Sequence, residues 1–187
     1  MKYIKRHAKK IELIVEVIFL LVLFLLGFFL DYQYAASLFW RYYLFMAVLA
    51  LILLLPVYLQ SRRKQELWLF IGFNLSLFAL YFVTLTPVKP FTQFYLDIKH
   101  GMTIQEVQSR FNQRFPKGGR FSQPEWQLNY GHQGVLENSD PKEKGFLAVP
   151  DQNLNYILDP NDGRYNAELV TVYFKDGKVV GMKYLPD

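Results

Sequence analysis

The residues of this sequence that could hold a metal ion are its histidines and one acidic turn. The histidines lie far apart, and none has a His or acidic neighbour at metal-ligand spacing: His7, His100 and His132. A run of oxygen-bearing side chains from Asp159 to Gly163, followed by Glu168, has the composition of a calcium loop. An EF-hand requires glycine sixth and glutamate twelfth, whereas Gly163 is fifth and Glu168 tenth. We therefore expect a Pro-Asn-Asp-Gly turn, with no metal and no cofactor.

No arrangement of residues predicts catalysis. The serines of the second half, Ser109, Ser122 and Ser139, lie in no Gly-x-Ser-x-Gly elbow, and no glycine-rich phosphate loop precedes a helix. The chain has no cysteine, which excludes a thiolate nucleophile, a disulfide framework and a lipidated cysteine. Asp151 and Glu168 are acidic, but their spacing does not place them together. The sequence therefore predicts a protein that is not an enzyme.

Four aromatic residues are candidates for a binding surface: Trp126, Tyr130, Tyr156 and Tyr165. Trp and Tyr are enriched at binding interfaces because each combines a large apolar ring with a polar group. The same residue types also fill protein cores. We expect core packing to account for at least half of these four.

Four polar residues lie in or beside the apolar segments of the first half: Glu12, Glu16, Arg41 and Asn74. Ionisable groups inside a bilayer are costly and are often kept for ion or proton transfer. These residues therefore define an alternative function, an accessory subunit of a transporter or channel. Structural roles are favoured, because both glutamates lie near the cytoplasmic end of their segment and Asn74 is placed for a hydrogen bond between helices.

Three apolar segments occupy the first half, at residues 11–30, 42–59 and 67–85. Each is near the ~20 residues that cross a bilayer, so we expect a three-helix transmembrane domain over residues 1–87. A cleaved signal peptide is disfavoured, because the first segment is longer than the ~7 to 15 apolar residues of a signal.

The basic residues predict the orientation of these helices. Lys and Arg resist translocation, and they cluster in the N-terminal tail and at residues 62–64, whereas the link between the first two segments has only Arg41. We therefore expect a cytoplasmic N-terminus in an inner (plasma) or thylakoid-type membrane. Three crossings then place residues 88–187 in a periplasm, a lumen or the exterior.

The net charge of +5 belongs to the membrane half. Residues 1–87 contain nine Lys or Arg and four Asp or Glu, whereas residues 88–187 contain twelve of each. A neutral domain lacks the basic face that phosphate binding requires, so we expect no nucleic-acid partner.

Capping and turn signals predict an α+β domain at residues 88–187, with a helix packed on an antiparallel sheet. Thr103 and Glu106 form a capping box that begins a helix at Ile104. Asp176-Gly177 predicts a hairpin, in which Phe174 pairs with Val179, Tyr173 with Val180 and Thr171 with Met182. The helix-covering face is then expected to carry five residues: Leu169, Tyr173, Val180, Met182 and Tyr184. Residues 126–130 and 154–158 are expected to be further strands, and residues 87–90 a stiff linker.

This domain resembles that of the SmpA/OmlA lipoproteins, also called BamE. The resemblance rests on Gly101-Met102-Thr103, Glu106-Val107, Trp126, Tyr130 and the segment from Val172 to Val180. It implies helices packed on an antiparallel sheet and a role in binding and scaffolding within membrane-protein assembly complexes. The chain departs from the family in lacking the lipidated cysteine and in carrying an insertion between Gly131 and Asn153.

These observations predict a non-enzymatic, membrane-anchored protein. Its outer domain is expected to contact another membrane or periplasmic protein, or lipid, in assembling or stabilising an envelope complex. Membrane lipids are the second expected partner.

Overall fold

The chain folds into two compact units, residues 1–85 and 86–187, in a computed structural model. The structure describes residues 2–61, 64–130, 147–159 and 167–186. The predicted calcium-like turn at 160–163, Tyr165 and most of the insertion after Gly131 lie outside these ranges.

The first unit consists of three long helices. α1 spans Lys2–Tyr34, α2 spans Trp40–Ser61 and α3 spans Lys64–Leu80, with a short 3₁₀ turn at Ala36–Leu38 between the first two. Two stretches within the described helices are long and apolar enough to cross a membrane: Ile11–Tyr34, which contains an 18-residue window with a mean hydropathy of 3.1, and Trp40–Leu59, which contains one with 2.3. These two agree with the predicted first and second spans.

The third predicted span is shorter than expected. α3 has 17 residues and ends at Leu80, five residues before the predicted end. Beyond Leu80 the backbone bonds three residues back rather than four, from Tyr81 to Phe78 and from Phe82 to Ala79. This tighter pattern ends the α-helix although the sequence remains apolar. The described structure therefore supports two of the three predicted spans.

The three helices pack around a narrow apolar core. Met46, Ala50 and Leu77 are fully buried in it. Gly27 of α1 lies where a Cβ atom would come within 2.8 Å of the Tyr42 hydroxyl and 3.1 Å of Leu77 Cδ2. The missing side chain of Gly27 therefore lets α1 approach both other helices closely, as small residues do in membrane helix bundles.

The described residues of the second unit form two helices followed by a sheet. α4 spans Val88–Asp97 and α5 spans Ile104–Arg114, and the strands are β1 (Glu125–Tyr130), β2 (Gln152–Leu158), β3 (Glu168–Lys175) and β4 (Lys178–Leu185). The described strands form one antiparallel sheet in the order β1-β2-β3-β4. This layout confirms the predicted order of a helical part followed by an antiparallel sheet.

The linker predicted at residues 87–90 is instead the beginning of α4. Pro90 is the third residue of that helix. The first backbone N–H groups of a helix have no intrahelical acceptor, so a proline there loses no hydrogen bond. Pro90 is therefore compatible with the first turn, although in the sequence it resembles a breaker.

α5 begins as predicted. The Thr103 side chain accepts from the backbone N–H of Glu106 at 3.3 Å, and the Glu106 carboxylate accepts from the backbone N–H of Thr103 at 2.7 Å. The reciprocal capping box is confirmed. At its other end, Arg114 donates to Asp97 through Nε at 2.9 Å and Nη2 at 2.7 Å, which joins α5 to α4.

The predicted hairpin is present, but its register is wrong beyond the first pair. Phe174 pairs with Val179 as expected, whereas Tyr173 pairs with Gly181 and Thr171 with Lys183. A bulge at Tyr173 and Phe174 inserts one extra residue into β4. Because side chains alternate, this moves part of the strand to the opposite face.

The bulge also corrects the predicted helix-covering face. The helices cover the side of the sheet that carries Val170, Val172, Phe174, Met182 and Tyr184. Leu169 and Tyr173 lie on the opposite side, where Ala148 packs against Tyr173 and Val180. Of the five residues predicted for the helix face, Met182 and Tyr184 are on it.

Candidate functional site

The two exposed candidate anchors lie on β1, at one edge of the sheet. The Trp126 side chain is 51% exposed and that of Tyr130 is 75% exposed. They are four residues apart in an extended strand, so both point to the same side of the sheet, with half-buried Leu128 between them. Across the ladder, Trp126 is paired with Tyr156 and Leu128 with Leu154, which identifies this side as the helix-covered one.

Tyr156 does not belong to an accessible surface. It is fully buried, with its ring centroid 4.8 Å from both Phe94 of α4 and Phe111 of α5. Its hydroxyl lies 3.1 Å from Gln108 Oε1, and burial raises the pKa of the phenol. Tyr156 is therefore a core residue that joins both helices to the sheet. Tyr165 lies outside the described residues, so two of the four candidate anchors remain on the described surface.

The two edges of the sheet differ in their protection. The outer edge of β4 is partly paired, since Gly101 N–H donates to Val179 O and Val179 N–H donates to Met102 O. β4 also carries two exposed lysines, Lys178 and Lys183. Lysine on an edge opposes unwanted pairing with other strands. Over Trp126–Tyr130, β1 has no charged residue, no proline and no bulge, and no described strand pairs with its outer side.

The side of the sheet away from the helices is polar at its centre. One row crosses all four strands: Gln127, Asn155, Thr171 and Lys183. In the adjacent row the Asn129 amide donates to Asn153 at 3.2 Å. Amides of this kind can bind peptide or polar surfaces through hydrogen bonds. Sequence reasoning missed this row, although alternating amides in β1 and β2 are visible as Gln127-x-Asn129 and Asn153-x-Asn155.

A buried polar cluster under α4 contains a carboxylate and a phenol. The Tyr184 hydroxyl donates to Glu168 and lies 3.3 Å from Thr92 Oγ1, which in turn donates to the carbonyl of Val88 at 3.0 Å. Burial, and then the bond to Glu168, raise the pKa of Tyr184. Glu168 is 8% exposed and Thr92 only 1%. These groups therefore link the start of α4 to the sheet.

The two acidic residues considered as a possible pair are separated. Asp151 Oδ2 accepts from the backbone N–H of Asp176 at 3.1 Å and lies 3.7 Å from Lys175 Nζ, near the hairpin turn. Glu168 is at the other end of β3, which is roughly 20 Å away at the rise of a strand. They do not form an acid pair.

The structure also separates the polar residues of the helical unit. Glu12 is exposed and Glu16 is buried, although they are one turn apart. Arg41 lies beyond the C-terminal end of α1, and that end is about 27 Å from Glu16 along the helix axis. The exposed Arg41 guanidinium lies 5.9 Å from the Trp40 ring centroid.

Asn74 makes a bond other than the predicted one. Its side-chain amide donates to the carbonyl of Phe70 within α3, at 2.8 Å, and Ser76 likewise bonds to Gly72. The described contact of Asn74 is thus within one helix rather than between two. The candidates Glu16, Arg41 and Asn74 are therefore not shown to share one site.

Sequence reasoning missed a polar turn between α1 and α2. The Asp31 carboxylate accepts from the backbone N–H of Ser37 at 2.8 Å, and the Tyr43 hydroxyl donates to the carbonyl of Ser37. Ala35 between them has a positive φ of 50°. These bonds satisfy backbone groups where two apolar helices reverse direction.

Among the described residues, no group of three or more His, Asp or Glu side chains is placed to hold a metal ion. No family model, curated protein or solved structure matches this chain. Its function therefore has to be inferred from its own residues. Of the surfaces above, the β1 edge is the one that combines accessible aromatic rings with accessible backbone.

Proposed function

We propose that this chain is a non-enzymatic, membrane-anchored docking protein whose second unit binds a protein partner through the edge of β1. The observation that carries the proposal is a strand edge with which no described strand pairs, together with two exposed aromatic side chains on that strand, Trp126 and Tyr130. An added strand would gain main-chain hydrogen bonds along the edge and apolar contact with the two rings. Such a contact serves assembly or stabilisation of a membrane complex.

The first unit is the membrane anchor in this proposal. Within the apolar 18-residue windows of the two stretches, only 17% and 22% of the residues are buried, so most of their large apolar side chains need a non-aqueous surrounding. A soluble core helix would be mostly covered. The proposed topology has three crossings, with α3 as the short third span, the N-terminus in the cytoplasm and the second unit on the other side. The distribution of basic residues supports this orientation.

The resemblance to the SmpA/OmlA (BamE) domain supports the same function. Two helices followed by an antiparallel sheet, a capping box at Thr103 and a closing hairpin fit the domain type that the resemblance implies. On this basis the three helices replace the lipid anchor of those proteins. A non-catalytic role also fits Asp151 and Glu168, because Asp151 is engaged by the hairpin turn and Glu168 by Tyr184.

Photo-crosslinking at two equally exposed positions tests the proposal. Benzoylphenylalanine replaces Tyr130, which is 75% exposed, or Leu147, which is 68% exposed on a different segment. In membranes containing the full chain, we expect a protein adduct from position 130 and little from position 147, because only the former lies on the docking edge. Adducts of equal yield from both positions, or lipid adducts alone from position 130, would contradict it.

A further inference from the structure

We infer that the partner at the β1 edge is a second copy of this chain, paired antiparallel through β1 about a twofold axis at Leu128. This inference rests on the proposed function, since it names the partner of the same edge. It follows from the order of residues along β1, from the charge of the strand and from the contrast between the two edges of the sheet.

The register of such a pair is restricted by geometry. A twofold axis perpendicular to the sheet places the helix-covered faces of both copies on the same side of the joined sheet. Two residues that lie opposite each other across the axis must therefore have their side chains on the same side. Because faces alternate along a strand, the axis must pass beside a residue and not between two. When the axis passes beside Leu128, every residue of Trp126–Tyr130 faces a residue of the same segment in the other copy.

In this register the side chains are self-complementary. Trp126 of one copy faces Tyr130 of the other, and this occurs twice by symmetry. Leu128 faces its own counterpart, and on the opposite side of the sheet Gln127 faces Asn129. Aromatic pairs are favourable across antiparallel strands, and two opposed amides can exchange a hydrogen bond because each has both donors and an acceptor. A shift of the axis to Gln127 would leave Tyr130 unpaired and place Trp126 against Leu128.

Charge favours the same occupant. Residues 126–130, the segment paired in this register, carry no formal charge; the first residue of β1, Glu125, lies outside that segment and does not face its own counterpart. Residues 88–187 contain equal numbers of acidic and basic residues. Two copies can therefore approach without the like-charge repulsion that opposes pairing of identical edges. The β4 edge carries Lys178 and Lys183 and is partly covered by residues 101–103. Pairing through β1 would give a continuous sheet of both copies with the helices of both on one side.

Substituted cysteines test the register, because the chain has no cysteine of its own. In membranes containing the full chain, mild oxidation of Leu128→Cys is expected to give a disulfide-linked dimer, since directly opposed Cβ atoms lie about 4.5–5.5 Å apart. Lys183→Cys on β4 is the matched control and is expected to remain monomeric. Equal dimer yield from the two variants would overturn the inference.

A charge swap tests the pairing with variants of exposed side chains, which should fold whether or not the dimer forms. In the double variant Trp126→Lys and Tyr130→Lys, a lysine of one copy faces a lysine of the other at both contacts. We expect the dimer affinity in lipid nanodiscs to fall on the order of ten-fold or more. Trp126→Lys with Tyr130→Glu makes each lysine face a glutamate, and we expect the dimer to return. No recovery in the second variant would overturn antiparallel self-pairing.

The same variants separate this inference from the proposed function. If the wild type is monomeric but gives an adduct from position 130 with a different protein, the docking proposal stands and the inference of a second copy is wrong. If the wild type is monomeric and gives no protein adduct at all, both are wrong. A position-130 adduct that consists of two copies of the chain supports both.

Discussion

Gly27 is the residue on which close packing of the three helices depends. A Cβ atom there would approach the Tyr42 hydroxyl to 2.8 Å and Met46 Cε to 2.9 Å. Those atoms end flexible side chains and can move aside for a methyl group. A Cβ atom at this position would also lie 3.1 Å from Leu77 Cδ2. A larger side chain would therefore press against Leu77 and separate the helices.

We therefore predict that Gly27→Leu lowers the stability of the helical unit by about 1–3 kcal/mol, the usual cost of overpacking. Gly72→Leu in α3 is the matched control, because nothing lies within 4 Å of its Cβ position. Thermal unfolding of the full chain in detergent measures both. A loss in the control as large as in Gly27→Leu would show that the effect is not one of close packing.

At the scale of the element, α5 is defined at its start by the bonds between Thr103 and Glu106. The Thr103 side chain supplies an acceptor to a backbone N–H that has no intrahelical partner. We predict that Thr103→Ala destabilises the second unit by about 1 kcal/mol. Ser109→Ala, at an exposed position inside the same helix, removes a hydroxyl without removing a cap and should change stability little. Chemical denaturation of the full chain measures the two variants.

The same capping box predicts a pH dependence. Hydrogen bonds from the Thr103 backbone and side chain hold the pKa of Glu106 below its ordinary value of 4.5. A depressed pKa means that the folded state favours the ionised form. The stabilisation of the folded state by ionised Glu106 is therefore present above the ordinary pKa of this carboxyl group. It is lost as the pH falls through the pKa that Glu106 has in the folded state.

The melting temperature should consequently fall less steeply with acid in Glu106→Gln than in the wild type. The two proteins are expected to differ at neutral pH and to converge below the folded pKa of Glu106, as measured by melting temperature across a pH series. A constant difference at every pH would show that ionisation of Glu106 does not stabilise the helix.

The bulge in β4 matters at the same scale, because it decides which residues of the hairpin face the helices. Asp176 and Gly177 both have positive φ, at 51° and 72°, as a two-residue hairpin turn requires. The turn fixes the two pairs next to it, Lys175 with Lys178 and Phe174 with Val179. The extra residue in β4 then moves Gly181 opposite Tyr173, which no turn signal in the sequence indicates.

At the scale of the whole molecule, the crossing of α3 decides on which side of the membrane the second unit lies. α3 has 17 residues, and its first three, Lys64, Gln65 and Glu66, are polar. The fourteen residues that follow them rise about 21 Å, which is less than the hydrocarbon core of ~30 Å. The proposed crossing therefore requires the apolar residues after Leu80 to complete the span.

Single cysteines in this cysteine-free chain test that crossing. Gln65→Cys, in the first turn of α3, and Asn112→Cys, in α5, are both at exposed positions. We predict that a membrane-impermeant maleimide labels position 112 from the non-cytoplasmic side and labels position 65 only after the membrane is opened. If both positions react from the same side, α3 does not cross and the three-span topology is wrong.

The sequence by itself determined the local features of this protein. The capping box at Thr103, the hairpin turn at Asp176-Gly177 and the two long apolar helices were predictable, because each depends on residues within one turn or one segment. The same holds for the strands containing residues 126–130 and 154–158. Composition also located the surplus of positive charge in the first half.

Only the tertiary structure decided which side chains are accessible. Tyr156 and Tyr130 are both tyrosines in predicted strands, yet one is buried beneath α4 and α5 and the other lies on an edge strand. Burial depends on which element covers a strand and on the order of strands in the sheet, and both are set by contacts between residues distant in sequence. The tertiary structure also identified β1 as an edge of the described sheet, because a strand lies at an edge only when no further strand pairs with its outer side.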